Sequence, residues 1–411
     1  MNRVRLLGIL LACSSAIGLS YALHLYAQRD AYQIVWERYL EIGVDRAIVR
    51  SQSGGYAFLA QGELVRIGED GSEHWRQPAV GWALFETRDG GFIVAGEADS
   101  EASGAPAEGT RESRPGTRAI SKYSSDGRLL WGKSVANVRK NETALFYRGS
   151  SIEDGFALVG YRAIVAETDR RGFVERQHPA GLWLAVFSDA GEFRWEAVLT
   201  LESGYKGPTL EAPPTRPIQA TDGSIFLALA SPDLAGPERS TKAVHVFKIS
   251  GEGREVVQRR IDRCVRPSMM SAGAGLMLVC QELTKTGSWA PSVRAVYFDR
   301  SLQISSMRVT SFDGALHRAL HSENSLYLVG TSFGRSNGQT RPVIANLDGT
   351  LTPVARFELP FSGRASHVID ASTGRDRELV LLWRGARLTE KTVGAAQIPV
   401  WLDGIVKIRV K

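Results

Sequence analysis

Short apolar runs recur along the chain, each led in by a turn. Asp89-Gly90-Gly91 opens onto Phe92-Ile93-Val94-Ala95-Gly96, Gly54-Gly55 onto Tyr56-Ala57-Phe58-Leu59-Ala60, and Asp154-Gly155 onto Phe156-Ala157-Leu158-Val159-Gly160. Fainter copies begin at Ile225, Leu276, Leu326 and Leu379, so the first apolar residues are spaced by 36, 64, 69, 51, 50 and 53 positions. Continuous runs this short, bounded by Asp-Gly or similar pairs, predict strands in hairpins. No stretch sustains a helical period.

Each early run has a sequel. After Phe92–Gly96 come Ala119-Ile120-Ser121-Lys122-Tyr123, a turn at Asp126-Gly127, and Leu129-Leu130-Trp131. Leu64–Ile67 with Asp70-Gly71 and Trp75, and Leu184–Phe187 with Ala190-Gly191 and Trp195, repeat the outline. A strand such as Trp82–Thr87 also precedes each first turn. The unit is therefore four antiparallel strands in about 50 residues, the content of a propeller blade. Seven units predict an all-β, seven-bladed β-propeller of four-stranded antiparallel blades over residues 32–411. The seventh unit ends in Ile405–Val410, and Tyr32–Tyr39 is a strand without a unit. If Ile405–Val410 is a third strand, Tyr32–Tyr39 completes that blade, puts Trp36 in the place of Trp75, and removes the open edge. In the alternative register, Asp403-Gly404 is the third turn and Ile405–Val410 the fourth strand.

Composition narrows the class. With 411 residues, 43% hydrophobic and 23% charged, the chain is neither disordered nor a many-span membrane protein. Three Cys exclude a disulfide-dense scaffold and a Cys-rich zinc fold. The net charge of +6 comes from 40 Arg and 10 Lys dispersed among acids, so no nucleic-acid partner is expected. Arg3 and Arg5 precede a charge-free run from Leu6 to Ala27, the outline of a signal peptide or N-terminal membrane anchor over residues 1–27. Ser20 and Ala22 suit cleavage after Ala22, the run is also long enough to span once, and Leu10-Leu11-Ala12-Cys13 is an imperfect lipid-attachment box. All three place the body outside the cytoplasm, in the periplasm or cell envelope if the source is bacterial, with membrane contact only through this segment.

Asp-Gly-Gly-Phe-Ile-Val-Ala-Gly, a strand, then Asp-Gly-Arg-Leu-Leu-Trp resembles the blade repeats of secreted bacterial β-propellers, within the PQQ-like and WD40-like repeat superfamily. The resemblance is clear in the first three units. It implies a propeller fold and blade-docking roles for the Trp residues. The Thr-Gly that usually precedes such a Trp is absent, as is the adjacent Cys pair of quinoprotein dehydrogenases, so no cofactor is expected.

In an up-and-down blade the first and third turns lie on one face, and here these are tight. The long connections fall on the other: 97–118, 161–181, 203–217, 231–242, 282–292, 331–341 and 384–404. Loops on a rigid scaffold commonly carry binding. Arg46, Trp82, Glu142, Arg216, Arg266, His317 and His367 start the inner strands on that face and form a candidate ligand-binding ring at the channel mouth. His317 and His367 lack the neighbours a metal site needs, and no catalytic motif is present. The expected function is an exported, monomeric, non-enzymatic propeller that binds a protein partner through the long-loop face, as an envelope scaffold or an immunity-type inhibitor. The alternative is an enzyme or small-ligand binder with its site at the channel mouth. Cys264 and Cys280 flank one predicted hairpin and are either a disulfide or two small core residues. Asn141-Glu142-Thr143 is a glycosylation sequon, usable only in a eukaryotic secretory route.

Overall fold

The apolar runs are the second strands of seven four-stranded antiparallel sheets. The computed structural model describes residues 31–411, except 41–43, 98–117, 136–141, 169–173, 200–213, 232–241, 286, 323–324, 333–339, 360–364 and 394–395. The segment 1–27 expected as a signal or anchor, with Cys13, Asn141 of the sequon, and most of four long connections lie outside the described residues.

Blade 1 comprises Val44–Arg50, Tyr56–Ala60, Glu63–Ile67 and Glu73–Pro78, in spatial order from the axis outward. Blade 2 is Ala83–Glu86, Phe92–Glu97, Arg118–Tyr123 and Leu129–Val135; blade 3 is Glu142–Ile152, Gly155–Thr168, Val174–Phe187 and Phe193–Leu199. Blade 4 is Ile218–Gln219, Ile225–Ser231, Ala243–Ile249 and Val256–Asp262; blade 5 is Cys264–Ala272, Gly275–Leu283, Trp289–Phe298 and Ile304–Ser311. Blade 6 is Ala315–Ser322, Ser325–Thr331, Pro342–Leu347 and Pro353–Glu358. Blade 7 takes Ala365–Thr373, Glu378–Val393 and Ala396–Val410, and its outer strand is Tyr32–Leu40 from the other end of the chain.

The register of closure decides between the two sequence-based alternatives. Tyr32 pairs with Val410, Trp36 with Lys407 and Leu40 with Asp403, so Ile405–Val410 belongs to a third strand. The closing strand grips both neighbouring blades. Tyr32 stacks on Phe357 of blade 6 at 4.6 Å, and Trp36 Nε1 donates to Glu69 O of blade 1 at 2.8 Å. Lys407 Nζ reaches Glu69 Oε2 at 2.7 Å and Glu378 Oε2 at 2.8 Å.

Both faces of every blade are covered, which is why the second strands read as unbroken apolar runs. A buried cluster fills each junction between neighbours. Phe58 and Ile405 share one, Leu227 and Leu184 another, and Phe357 and Val368 a third. Outer strands touch one neighbour and water, so Ile304–Ser311 is exposed at all but one position.

The turns explain the Asp-Gly signature. Thr87 N donates to Gly91 O and Gly90 N to Thr87 O, with Gly90 at φ +78°. Asp89 accepts from Lys122 Nζ at 2.7 Å, so a cation on the third strand anchors the first turn, and Lys248 with Asp222 repeats the device at 3.2 Å.

The third turns carry the docking Trp residues. Each Trp lies against the left-handed Gly of the next blade's third turn: Trp36 on Gly71, Trp75 on Gly127, Trp131 on Gly191 and Trp195 on Gly253. A Cβ at these glycines would fall 2.9, 2.7, 2.6 and 2.5 Å from the ring. The outer strands of blades 4 and 5 have no Trp. In the next blades the same turn position is Leu302 (φ +60°) and Leu351 (φ +65°), both buried. Leucine accepts a conformation costing roughly 1–2 kcal/mol and fills the space a Trp would cover.

Two connections expected as loops are mostly strand. Residues 161–181 and 384–404 continue the hairpins of blades 3 and 7, pairing Glu167 with Arg176 and Thr392 with Gln397. A register shift between Val265 and Ser268 brings Cys264 to 5.7 Å, Cα to Cα, from Cys280, and the two are bonded.

Candidate functional site

Inner strands line the axis, and a recurring irregularity sets what they present there. Register shifts fall between Phe146 and Arg148, Leu316 and Arg318, and Val368 and Asp370. A bulge inserts one residue and exchanges the faces of those beyond it. Arg148, Arg318 and Asp370 therefore share one tier, opposite the equivalent apolar residues Val159, Val329 and Leu382. Arg216 reaches the same tier from the segment leading into the inner strand of blade 4, beside Thr215, whose N–H donates to Ala228 O.

Asp370 is the hub. Its side chain is 1% exposed and lies 3.0 Å from Arg318 Nη1 and 3.9 Å from Arg216 Nη2. It also accepts from Ile48 N at 3.1 Å and from Ala371 N at 2.9 Å. Burial alone would raise this carboxyl. The guanidiniums of Arg318, Arg148 and Arg216 and the Ile48 N–H outweigh it and hold the carboxyl below the usual range. Arg216 Nη2 donates to Ile48 O at 3.0 Å. Burial, then the like charges of Arg318 and Arg148, pull Arg216 down to about 9 against the opposing effect of Asp370, so it remains charged at pH 7. Its side chain is 28% exposed even so: protein surrounds it, and water reaches it along the channel.

A second cluster lies on blades 5–7. Arg266, on the bulge of its inner strand at φ +52°, places its guanidinium 4.3 Å from the Trp289 ring centre and donates to Leu316 O at 3.1 Å. It lies 3.5 Å from His317 Nδ1, and His317 Nε2 is 2.9 Å from Thr331 Oγ1. Arginine only donates, so Nδ1 accepts and Nε2 carries the proton. Burial, Arg266 and His367 bring His317 down to about 3, which keeps it neutral. His367 is lowered by burial and by Arg384, against Asp403; Arg384 forks onto that carboxylate at 2.8 and 2.7 Å.

Of the seven candidate mouth residues, Arg266, His317 and His367 are brought together. Arg216 belongs to the axial tier. Trp82 packs on Tyr147 of blade 3 at 5.4 Å. Arg46 and Glu142 sit in the inner strands of blades 1 and 3, and their side chains lie outside the described residues. Among the described residues no group of three His, Cys, Asp or Glu is placed to hold a metal ion. Sequence reading missed Arg148, Arg318 and Asp370. Their signal is a charge inside the inner strand shortly before the next apolar run: eight residues ahead of Phe156 and Leu326, and nine ahead of Leu379.

No protein-family model matches the chain, and no curated protein matches its sequence. Among solved structures, a Bacteroides caccae protein of unknown function is 12% identical over 76% of this chain and 92% of that one, with a TM-score of 0.42. Synechocystis apocarotenoid oxygenase, in a Glu150Gln mutant, is 12% identical over 77% and 72%, at 0.48. The dihydro-heme d1 dehydrogenase NirN in complex with DHE is 11% identical over 77% and 66%, at 0.41. The chain's own strand order establishes its architecture: a seven-bladed β-propeller closed through its N-terminal strand.

Proposed function

We propose that the chain is an exported, non-enzymatic binding propeller of the secreted bacterial repeat type, engaging a protein partner through its long-connection face. One observation carries the reading: the connections are segregated. Among the described residues the first and third turns of the blades are tight, while the opposite face bears the tall hairpins of blades 3 and 7. Those hairpins run to 14 and 16 residues on their second strands, against five to nine in the other blades. A rigid ring with one elaborated face fits an envelope scaffold or an immunity-type inhibitor. The charge-free leader supplies the route out of the cytoplasm. In the test, the full chain is expressed in its source cell and cross-linked, with 161–181 or 384–404 replaced by a short Asp-Gly turn. Capture of one discrete protein, lost in either replacement, is the expected result; identical capture by all three forms would overturn it.

A second reading rests on Arg266, His317 and His367: a small acidic ligand at the channel mouth. Here Arg266→Ala and His317→Ala abolish ligand binding while replacement of 161–181 leaves it unchanged.

A further inference from the structure

Blade 4 lies across a seven-membered ring from blades 7 and 1. Arg216 of blade 4 nevertheless contacts Ile48 O of blade 1 at 3.0 Å and approaches Asp370 of blade 7 to 3.9 Å. Its guanidinium must therefore cross the axis, and it bridges the channel at that tier. Asp370 has little left to offer it. One carboxylate oxygen receives Arg318 and the Ala371 N–H, and the other receives the Ile48 N–H. Among the described residues, the one hydrogen bond of Arg216 goes to Ile48 O. A guanidinium has five N–H donors in a rigid fork, so most of that fork faces the channel.

The charge balance points the same way. Arg216 and Arg318 share one carboxylate, which leaves the trio at +1, and Arg148 adds its field at both Asp370 and Arg216. Like charges held together in a poorly solvated place are costly until an anion joins them. Arg216 and Arg318 are 28% and 18% exposed, so both guanidiniums are within reach of water. Arginine forks match the spacing of carboxylate and phosphate oxygens, which can accept two parallel N–H bonds.

We propose that the axial channel is a binding site for a small oxyanion, a carboxylate or phosphate group, held between Arg216 and Arg318. The site lies deeper than the mouth cluster and does not depend on the long-connection face. Its occupant would offset the excess positive charge of the tier and tie blades 4 and 6 together.

Isothermal titration of the full chain at low, constant ionic strength tests this, with succinate and inorganic phosphate as separate probes and chloride as the background ion. At least one probe is expected to bind stoichiometrically and to raise the melting temperature. A preference for succinate identifies a carboxylate site, and a preference for phosphate the other source. Arg216→Met leaves the Arg318–Asp370 pair intact and is expected to weaken binding about tenfold or more. Arg216→Lys keeps the charge without the fork and is expected to fall between. No heat from either probe, or equal affinity in a folded Arg216→Met variant, would overturn the proposal. Partner capture by the long-connection face is expected to survive Arg216→Met, so the two readings fail separately.

Discussion

At the scale of single residues, two glycines with the same backbone conformation separate geometry from packing. Gly223 (φ +78°) has nothing within 4 Å of a virtual Cβ, whereas at Gly253 (φ +74°) the Trp195 ring stands 2.5 Å away. Gly223→Ala is expected to cost about 1–2 kcal/mol, the left-handed penalty alone. Gly253→Ala adds displacement of a docked indole and is expected to cost about 2 kcal/mol more. Urea denaturation of the two variants checks this, and equal losses would show that the Trp–Gly contact does not hold the blades together. Leu302 and Leu351 show the complementary solution, in which backbone strain is accepted so that a side chain fills the gap.

The decisive element is the closing strand. Tyr32–Leu40 pairs along Asp403–Val410 and joins blade 7 to blades 6 and 1 through Tyr32 and Trp36. Trp36→Ala would remove the indole packed on Gly71 and its hydrogen bond to Glu69 O. A half-buried Trp in this setting is worth about 2–4 kcal/mol. The expected outcome is a lower melting temperature and faster hydrogen exchange in Ile405–Val410, whose pairing it supports, with Ile225–Ser231 on the far side of the ring protected as before. Uniform loss of protection would mean that the ring opens as one unit. The bulges belong to this scale as well. One extra residue in an inner strand moves Arg148, Arg318 and Asp370 onto the axis, which strict alternation from the predicted strand starts does not anticipate.

For the whole molecule, Asp370 links parts of the ring far apart in sequence: blade 1 through Ile48, blade 6 through Arg318 and blade 4 through Arg216. Asp370→Asn leaves guanidiniums facing each other without their shared anion and is expected to cost about 3 kcal/mol at pH 7. The sign of the pH dependence follows from the lowered carboxyl. The native state holds the proton less tightly than the unfolded chain, so the stabilisation is present above pH 3.8 and is lost as pH falls through the lowered native value. Stability curves of wild type and Asp370→Asn should therefore converge in acid. Curves that stay parallel would show that the carboxylate contributes nothing through its charge.

The repeat was legible because it is local. Asp-Gly turns, apolar second strands and the Trp positions are set by neighbours within one unit, and Trp36 marked the closing strand because its counterparts Trp75, Trp131 and Trp195 were visible. The early units read clearly for the same reason; the later ones lack the Trp and hold Leu at the turn. The axial cluster was hidden because it joins residues 48, 216, 318 and 370 from four different blades, and the spacing of Arg318 and Asp370 before their second strands gains meaning only once the bulges turn them to one tier. Even the Cys264–Cys280 bond waited on a register shift. Hydrophobic burial within a blade is encoded in a few dozen consecutive residues, whereas charge placed on the axis depends on the ring having closed, since only closure brings opposite blades within reach of one guanidinium.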